Sequence, residues 1–343
     1  MGALVNQQIL LVSRPIREPR PDNFRLVRVP LLDPRQMQDG QVLVRHHFLS
    51  LDPYMRGRMD EGTSYAVPQP LDQVMLGATA GEVIASKTPE FKVGDTVVGY
   101  GGWQEYSLVD GTRPGALRKV DTTRLALSAY LGAVGMPGVA AWYGLTQIIE
   151  PKAGSTLVVS AASGAVGSVV GQLAKLRGCR VVGLAGGDHK CRFVTEELGF
   201  DACIDYKQYG DLQSLSEALQ RACPKGIDAC FENVGGVILD AVMQQANAFA
   251  RIAVCGMIAG YNGAPQVMAN PTLILVTRMK IEGFIVGDHL AMWPPALLEL
   301  SELVASGQLK YRETVSHGLA SAPEAFIGLL GGKNFGKQLV KLH

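Results

Sequence analysis

The stretch Leu157-Val158-Val159-Ser160-Ala161-Ala162-Ser163-Gly164-Ala165-Val166-Gly167, running on into Ser168-Val169-Val170-Gly171-Gln172-Leu173-Ala174-Lys175, decides how this chain is organised. A short β-branched run bounded by small residues reads as a buried strand, and the residues after the turn read as a helix. Gly164 and Gly167 let backbone approach a ligand closely, while the helix beyond opens with free N–H groups and a partial positive charge. A strand, turn and helix of this kind can seat a dinucleotide pyrophosphate, although small-residue turns also arise for packing alone. A second strand about 20 residues on separates the two readings, and Arg180-Val181-Val182-Gly183-Leu184-Ala185 supplies it. Gly171, one turn into the helix, is expected to let it lie close to the sheet.

Toward the C terminus the alternation continues through a helical KCRFVTEELG, the strand IDACFENVGG, another helix, and then RIAVCGM and MKIEGFIVG. This rhythm predicts an α/β unit built on a doubly wound parallel sheet. Toward the N terminus the pattern differs. From Gln41 to about Val120 the short runs VLVRHHFLSL, TAGEVIAS, KVGDTVVGY and WQEYSLVD, punctuated by Gly, Asp and Pro, suggest a β-barrel. The last elements, ETVSHG, PEAFIGLL and GKQLVKL, are too few for a third domain and should fold back onto the N-terminal one. The 343 residues fit two domains, with the parallel unit inserted in the middle.

Charge and cysteine use narrow the function. With 32 Lys+Arg against 31 Asp+Glu, no global field gathers nucleic acid or an anionic membrane, and no apolar run approaches the ~20 residues of a membrane span. Any anion must be held locally. All six cysteines, from Cys179 to Cys255, lie in the middle segment without a CxxC pair or a secretory signal, which predicts a reducing, cytoplasmic setting. The start MGALVN has Asn6 where a myristoylation signal wants Ser or Thr.

An NAD site usually ends its second strand with Asp or Glu for the ribose 2′-hydroxyl. Here the strand ends in Gly186 and Gly187, with Lys190 and Arg192 just beyond, which favours a 2′-phosphate and hence NADPH, against the nearby Asp188. Zinc alcohol dehydrogenases of similar domain order bind their metal through Cys and His of the barrel. Residues 1–178 contain no cysteine, and His46 and His47, adjacent on a strand, point to opposite faces, so no metal site is expected. Without a metal, a conjugated substrate is the easier one to reduce. Hydride can add at the β-carbon of an enone, and hydrogen bonds suffice for the enolate oxygen.

Four segments then become specific: Leu51-Asp52-Pro53-Tyr54-Met55-Arg56-Gly57, the glycine loop with its helix, Glu232-Asn233-Val234-Gly235-Gly236, and Cys255-Gly256-Met257-Ile258-Ala259-Gly260-Tyr261-Asn262. In this order, and over nearly the whole chain, they resemble the zinc-free medium-chain dehydrogenase/reductase family, in the group of prostaglandin reductases, alkenal double-bond reductases and bacterial curcumin reductase. The resemblance implies a GroES-like β-barrel catalytic domain (1–130 with 307–343) and a Rossmann NADPH-binding domain (131–306). It implies reduction of enones or enals, with an apolar small molecule as substrate and a homodimer joined through MKIEGFIVG. By position, Gly164, Ala165, Val166 and Gly167 would cradle the pyrophosphate, and Lys190 with Tyr206 would hold the 2′-phosphate. Asn233 would meet the ribose or nicotinamide side. Cys255, Gly256, Met257, Ile258 and Tyr261, with Phe284, Ile285 and Val286, would line the nicotinamide pocket, and Asn334 would close over the cofactor. One departure is Gly187-Asp188-His189-Lys190, where the family usually has Ser-Asp-Glu-Lys; the lysine is kept.

Three tyrosines compete to stabilise the oxyanion or donate the proton: Tyr54, Tyr65 in the loop EGTSYAVP, and Tyr261. Tyr261 is best placed, at the C-terminal edge of a parallel strand. Asp52 and Arg56 read as structural, and Trp103, Trp293 and Met292 as walls of a substrate pocket. The competing functions are a quinone or enoyl thioester reductase, and a nucleotide-binding protein without chemistry.

Overall fold

The computed structural model describes residues 5–62 and 64–343, so the first four residues of MGALVN and Thr63 of EGTSYAVP lie outside the described residues. Two compact units divide the chain. One comprises Met1–Leu131, Glu313–Asn334 and Gln338–His343, and the other Gly132–Arg312 with Phe335–Lys337.

The first unit begins with strands β1 (Val5–Leu11), β2 (Phe24–Pro30) and β3 (Gln41–Ser50) and the short helix α1 (Tyr54–Arg58). Strands β4 (Gln73–Val74), β5 (Thr79–Ser86), β6 (Thr96–Gly99), β7 (Tyr106–Asp110) and β8 (Leu117–Lys119) follow. All their pairings are antiparallel. Trp103 lies fully buried here, its ring stacked on Phe24 and edge-on to Phe326. It is therefore a core residue and not a pocket wall: burial of a large ring decided its place, which an exposed-looking GGWQ loop in the sequence concealed.

The second unit opens with α2 (Met136–Tyr143) and β9 (Thr156–Val159), then α3 (Gly167–Leu176), β10 (Arg180–Ala185), α4 (Asp188–Arg192) and β11 (Ala202–Asp205). It continues through α5 (Leu212–Ala222), β12 (Ile227–Glu232), α6 (Gly236–Gln244), β13 (Ala246–Val254), α7 (Thr272–Thr277), β14 (Lys280–Gly283) and α8 (Trp293–Ala305). The six strands run parallel in the order β11-β10-β9-β12-β13-β14. Alternate residues feed two separate cores. Leu157, Val159, Val181 and Phe231 pack on one face, and Val158, Val182, Leu184 and Cys230 on the other. Helices cover both faces, so these strands read as continuous apolar runs. The strand in MKIEGFIVG is shorter than the motif: it covers only Lys280–Gly283 and forms the sheet's edge.

Residues 307–312 group with this unit because Leu309 is buried in its core and the Lys310 N–H donates to Gln172 Oε1. The chain closes with β15 (Glu313–His317), α9 (Ala322–Leu330) and β16 (Lys337–Lys341). Strand β16 pairs antiparallel with β3, completing a sheet ordered β15-β16-β3-β5-β6-β8, with β7 also on β3.

Candidate active site

The parallel sheet reverses its strand order between β9 and β12, the crevice where doubly wound folds bind ligands. Beyond β9 the chain turns sharply at Ala161, which has φ +48°, and the Gly164 N–H donates to the Ala161 carbonyl at 2.8 Å. A Cβ on Gly167 would lie 2.5 Å from that carbonyl, so only glycine can begin α3 so close to β9. In the first turn of α3 the Ser168 N–H donates to the Gly164 carbonyl, and the Val169 and Val170 N–H groups donate to that of Val166, so the loop winds directly into the helix beside the crevice. A second segment reaches the same loop: the Gly336 N–H donates to the Ser163 carbonyl at 3.0 Å, and Gly336 bridges Gly164. Asn334 is two residues before it. Gly171 is tight for a different reason from the one expected. Its Cβ would fall 1.7 Å from the Phe200 ring, so it admits that ring against the helix.

The turns after β9 and β12 are tied by a buried carboxyl. Glu232, fully buried, accepts from the Ser160 hydroxyl at 2.8 Å and from the Val234 and Gly235 N–H groups at 2.5 and 2.8 Å. Burial raises its pKa, and these hydrogen bonds oppose that rise. The Asn233 N–H donates to the Ser160 hydroxyl, and its amide donates to the Ser160 carbonyl. Asn233 is therefore fixed at the switch point. Glu232 and Ser160 carry no recognisable motif; two polar residues at the ends of otherwise apolar strands are the signal they leave in the sequence.

At the end of β10 lies a cationic corner. Gly186 leaves room for the Tyr206 hydroxyl and the Lys207 side chain, which would stand 3.0 and 2.9 Å from a Cβ there. Lys190 is buried, its pKa lowered first by desolvation and then by Lys207. Burial also raises the Tyr206 phenol, so it stays a donor. The acids nearby are engaged elsewhere: Asp188 pairs with Arg192 at 3.2 Å, and Asp205 accepts from the Gly187 and Lys207 N–H groups. Lys207 was missed by the sequence reading, because its proximity to Lys190 depends on how β11 lies beside β10.

The C-terminal ends of β12, β13 and β14 carry the remaining candidates. Cys255 and Gly256 donate their N–H groups to the Glu232 carbonyl, and Ile258 donates to that of Asn233. The Tyr261 hydroxyl accepts from the Met257 N–H at 3.5 Å and would stand 3.1 Å from a Cβ on Gly256. Gly256 thus admits the phenol to this turn. Phe284 continues from β14, its N–H donating to the Val254 carbonyl, and its ring packs on Tyr143 and Phe231. The Val286 carbonyl accepts from the Trp293 indole N–H.

In the first unit, Tyr54 opens α1 beside Arg58, whose guanidinium lies 5.6 Å from its ring centre. Burial first, and then Asp52, Tyr100 and Tyr65, push the Tyr54 phenol well above its ordinary value, so it remains protonated through neutral pH. Tyr65 is 61% exposed. Asp52 accepts from the Ser50 hydroxyl, while Arg56, almost fully buried, pairs with Asp60 and donates to the Arg17 carbonyl. These are structural bonds. His46 is buried, with Nε2 2.9 Å from the Ser107 hydroxyl, whereas His47 faces Glu82. Among the described residues no three His, Cys, Asp or Glu side chains gather as metal ligands.

Comparison with known proteins agrees with this layout. Residues 7–117 match the family described as the N-terminal domain of oxidoreductase, and residues 165–302 the family described as zinc-binding dehydrogenase. The NADPH-dependent curcumin reductase of Escherichia coli is 44% identical, over 98% of this chain and 97% of its own length. The NADP(+)-dependent 2-alkenal reductase of tobacco is 41% identical over the same shares. The chain belongs to the medium-chain dehydrogenase/reductase family. Within the family, prostaglandin reductase 1 of the rat is 41% identical over 94% of this chain and 95% of its own. The crystal structure of CurA from Vibrio vulnificus, 45% identical, superposes with a TM-score of 0.90 over 98% of this chain and 99% of that one. A second CurA structure, 44% identical with the same TM-score and coverage, holds NADPH. The medium-chain reductase fold is thus shared along nearly the full length.

Proposed function

We propose that this protein is an NADPH-dependent reductase that saturates the carbon–carbon double bond of α,β-unsaturated ketones and aldehydes. The cationic corner at Gly186 carries the reading: Lys190, Lys207 and Tyr206 converge there, while the nearby acids are held by Arg192 and by backbone. A dianionic 2′-phosphate fits such a corner, and a bare ribose hydroxyl does not require it. The relatives named for NADP-dependent reduction of curcumin and 2-alkenals support the same class.

In this reading Gly164, Ala165, Val166 and Gly167 cradle the pyrophosphate, and Asn233 meets the ribose or nicotinamide side. Cys255 to Ile258, Tyr261 and Phe284 to Val286 line the nicotinamide, and Asn334 closes over the cofactor. When bound, NADPH supplies a hydride to the β-carbon of the substrate. Tyr261 holds the carbonyl oxygen through its phenol, Tyr54 and Tyr65 being its competitors for that role, and tyrosine or water protonates the α-carbon. The second unit serves the cofactor and the first the substrate. The protein acts in the cytoplasm, consistent with six free cysteines. It forms a homodimer through β14, an edge strand whose neighbouring Leu275 and Val276 are exposed.

The test follows NADPH absorbance with a medium-chain enone and its saturated ketone, both in the presence of a chelator. Turnover of the enone alone is expected. Turnover of the ketone, or silence with both, overturns the reading.

A further inference from the structure

Two thiols stand together in the second unit and take no part in the mechanism above. Cys191 sits in α4 and Cys203 in β11, twelve residues apart in sequence, with Sγ 2.7 Å from Sγ. Both are free. A disulfide has a sulfur separation of ~2.05 Å, so the pair needs to close by only about 0.7 Å, between side chains already facing each other. Cys203 is half-buried and Cys191 is buried, with 8% of its surface exposed.

The chemistry of the two sulfurs differs. The Cys203 thiol donates to Cys191, which draws the Cys191 pKa below its ordinary value and holds that of Cys203 above it. Of the two, Cys191 ionises the more readily. In each of the other four cysteines burial pushes the thiol up, to about 11 for Cys223 and about 12 for Cys255. Those four lack an activated sulfur.

We propose that Cys191 and Cys203 form a redox-active dithiol that hydrogen peroxide closes to a reversible disulfide. The Cys191 thiolate attacks a peroxide oxygen; the S–O bond forms, the O–O bond breaks, and the leaving hydroxide takes a proton to become water. The Cys203 sulfur then attacks the Cys191 sulfur, the S–S bond forms, and the S–O oxygen leaves as a second water carrying the Cys203 proton. Two electrons pass from the dithiol to the peroxide. The bridge would join α4, which carries Lys190, to β11, whose end carries Asp205 and leads into Tyr206 and Lys207. It is a modification site at the edge of the phosphate corner.

Purified protein is treated with hydrogen peroxide, and its thiols are counted under denaturing conditions. The count is expected to fall from six to four, with loss of two mass units, a single cross-linked peptide joining Cys191 and Cys203, and full reversal by dithiothreitol. In Cys203→Ser the reaction should stop at a Cys191 sulfenic acid that a 1,3-dione traps. Six retained thiols in the peroxide-treated unmutated protein, a different cross-link, or equal loss of two thiols in Cys191→Ser would each overturn the proposal. The peptide map of the unmutated protein decides even if a variant fails to fold.

Discussion

At the scale of single residues, the chemistry rests on a few side chains whose roles can be separated. Tyr261→Phe keeps the ring that packs against Gly256 and removes only the hydroxyl. Loss of one oxyanion donor typically costs 10²–10³ in kcat, and with other donors present about 10- to 100-fold is expected here. NADPH affinity, read by fluorescence titration, should stay within about twofold. Lys190→Ala removes one of the two ammonium groups at the corner. A charge-assisted hydrogen bond contributes roughly 1.5–3 kcal/mol, so NADPH binding should weaken about 10- to 100-fold while NADH binding barely changes. The sequence showed Lys190 and the missing acid directly, because the residues after a second strand are close in sequence to its end. It did not show Lys207, whose approach depends on two parallel strands lying side by side.

At the scale of elements, the glycine loop was legible because its constraint is local. Ala161 and Gly167 meet within one turn, and the 2.5 Å clash a Cβ would make excludes any other residue at Gly167. Gly171 was legible as a small residue but not for its reason: it is Phe200, almost thirty residues on, that occupies the space. Gly171→Ala would force a methyl into that ring. Overpacking of this kind costs roughly 1–3 kcal/mol, so the variant should melt several degrees lower, as differential scanning fluorimetry would show, with the loop otherwise intact. The network of Ser160, Glu232 and Asn233 joins two elements separated by more than seventy residues, which is why no motif announced it.

At the scale of the whole molecule, acid stability turns on a buried base in the first unit. Burial, and then His47 and His343, lower the His46 pKa to about 3, against an ordinary value of 6.5. The folded state therefore binds fewer protons than the unfolded chain between these values. Stability is fully present above about pH 6.5 and is lost as pH falls toward 3, by an amount on the order of a few kcal/mol. Thermal melts across this range should show a slope that His46→Gln flattens; an unchanged slope would remove His46 from the acid response.

The parallel sheet, the turn that opens α3, the antiparallel part before it and the family to which the chain belongs were all legible in the order of residues along the chain. Each of these is written in neighbouring residues, as hydrophobic period, glycine position or contiguous motif. That Trp103 is core, that Phe200 claims the space at Gly171, that Glu232 fixes Asn233 and that Cys191 faces Cys203 became visible once the chain was folded. Those outcomes depend on which distant side chains share a small volume, and close packing settles that after the chain has folded.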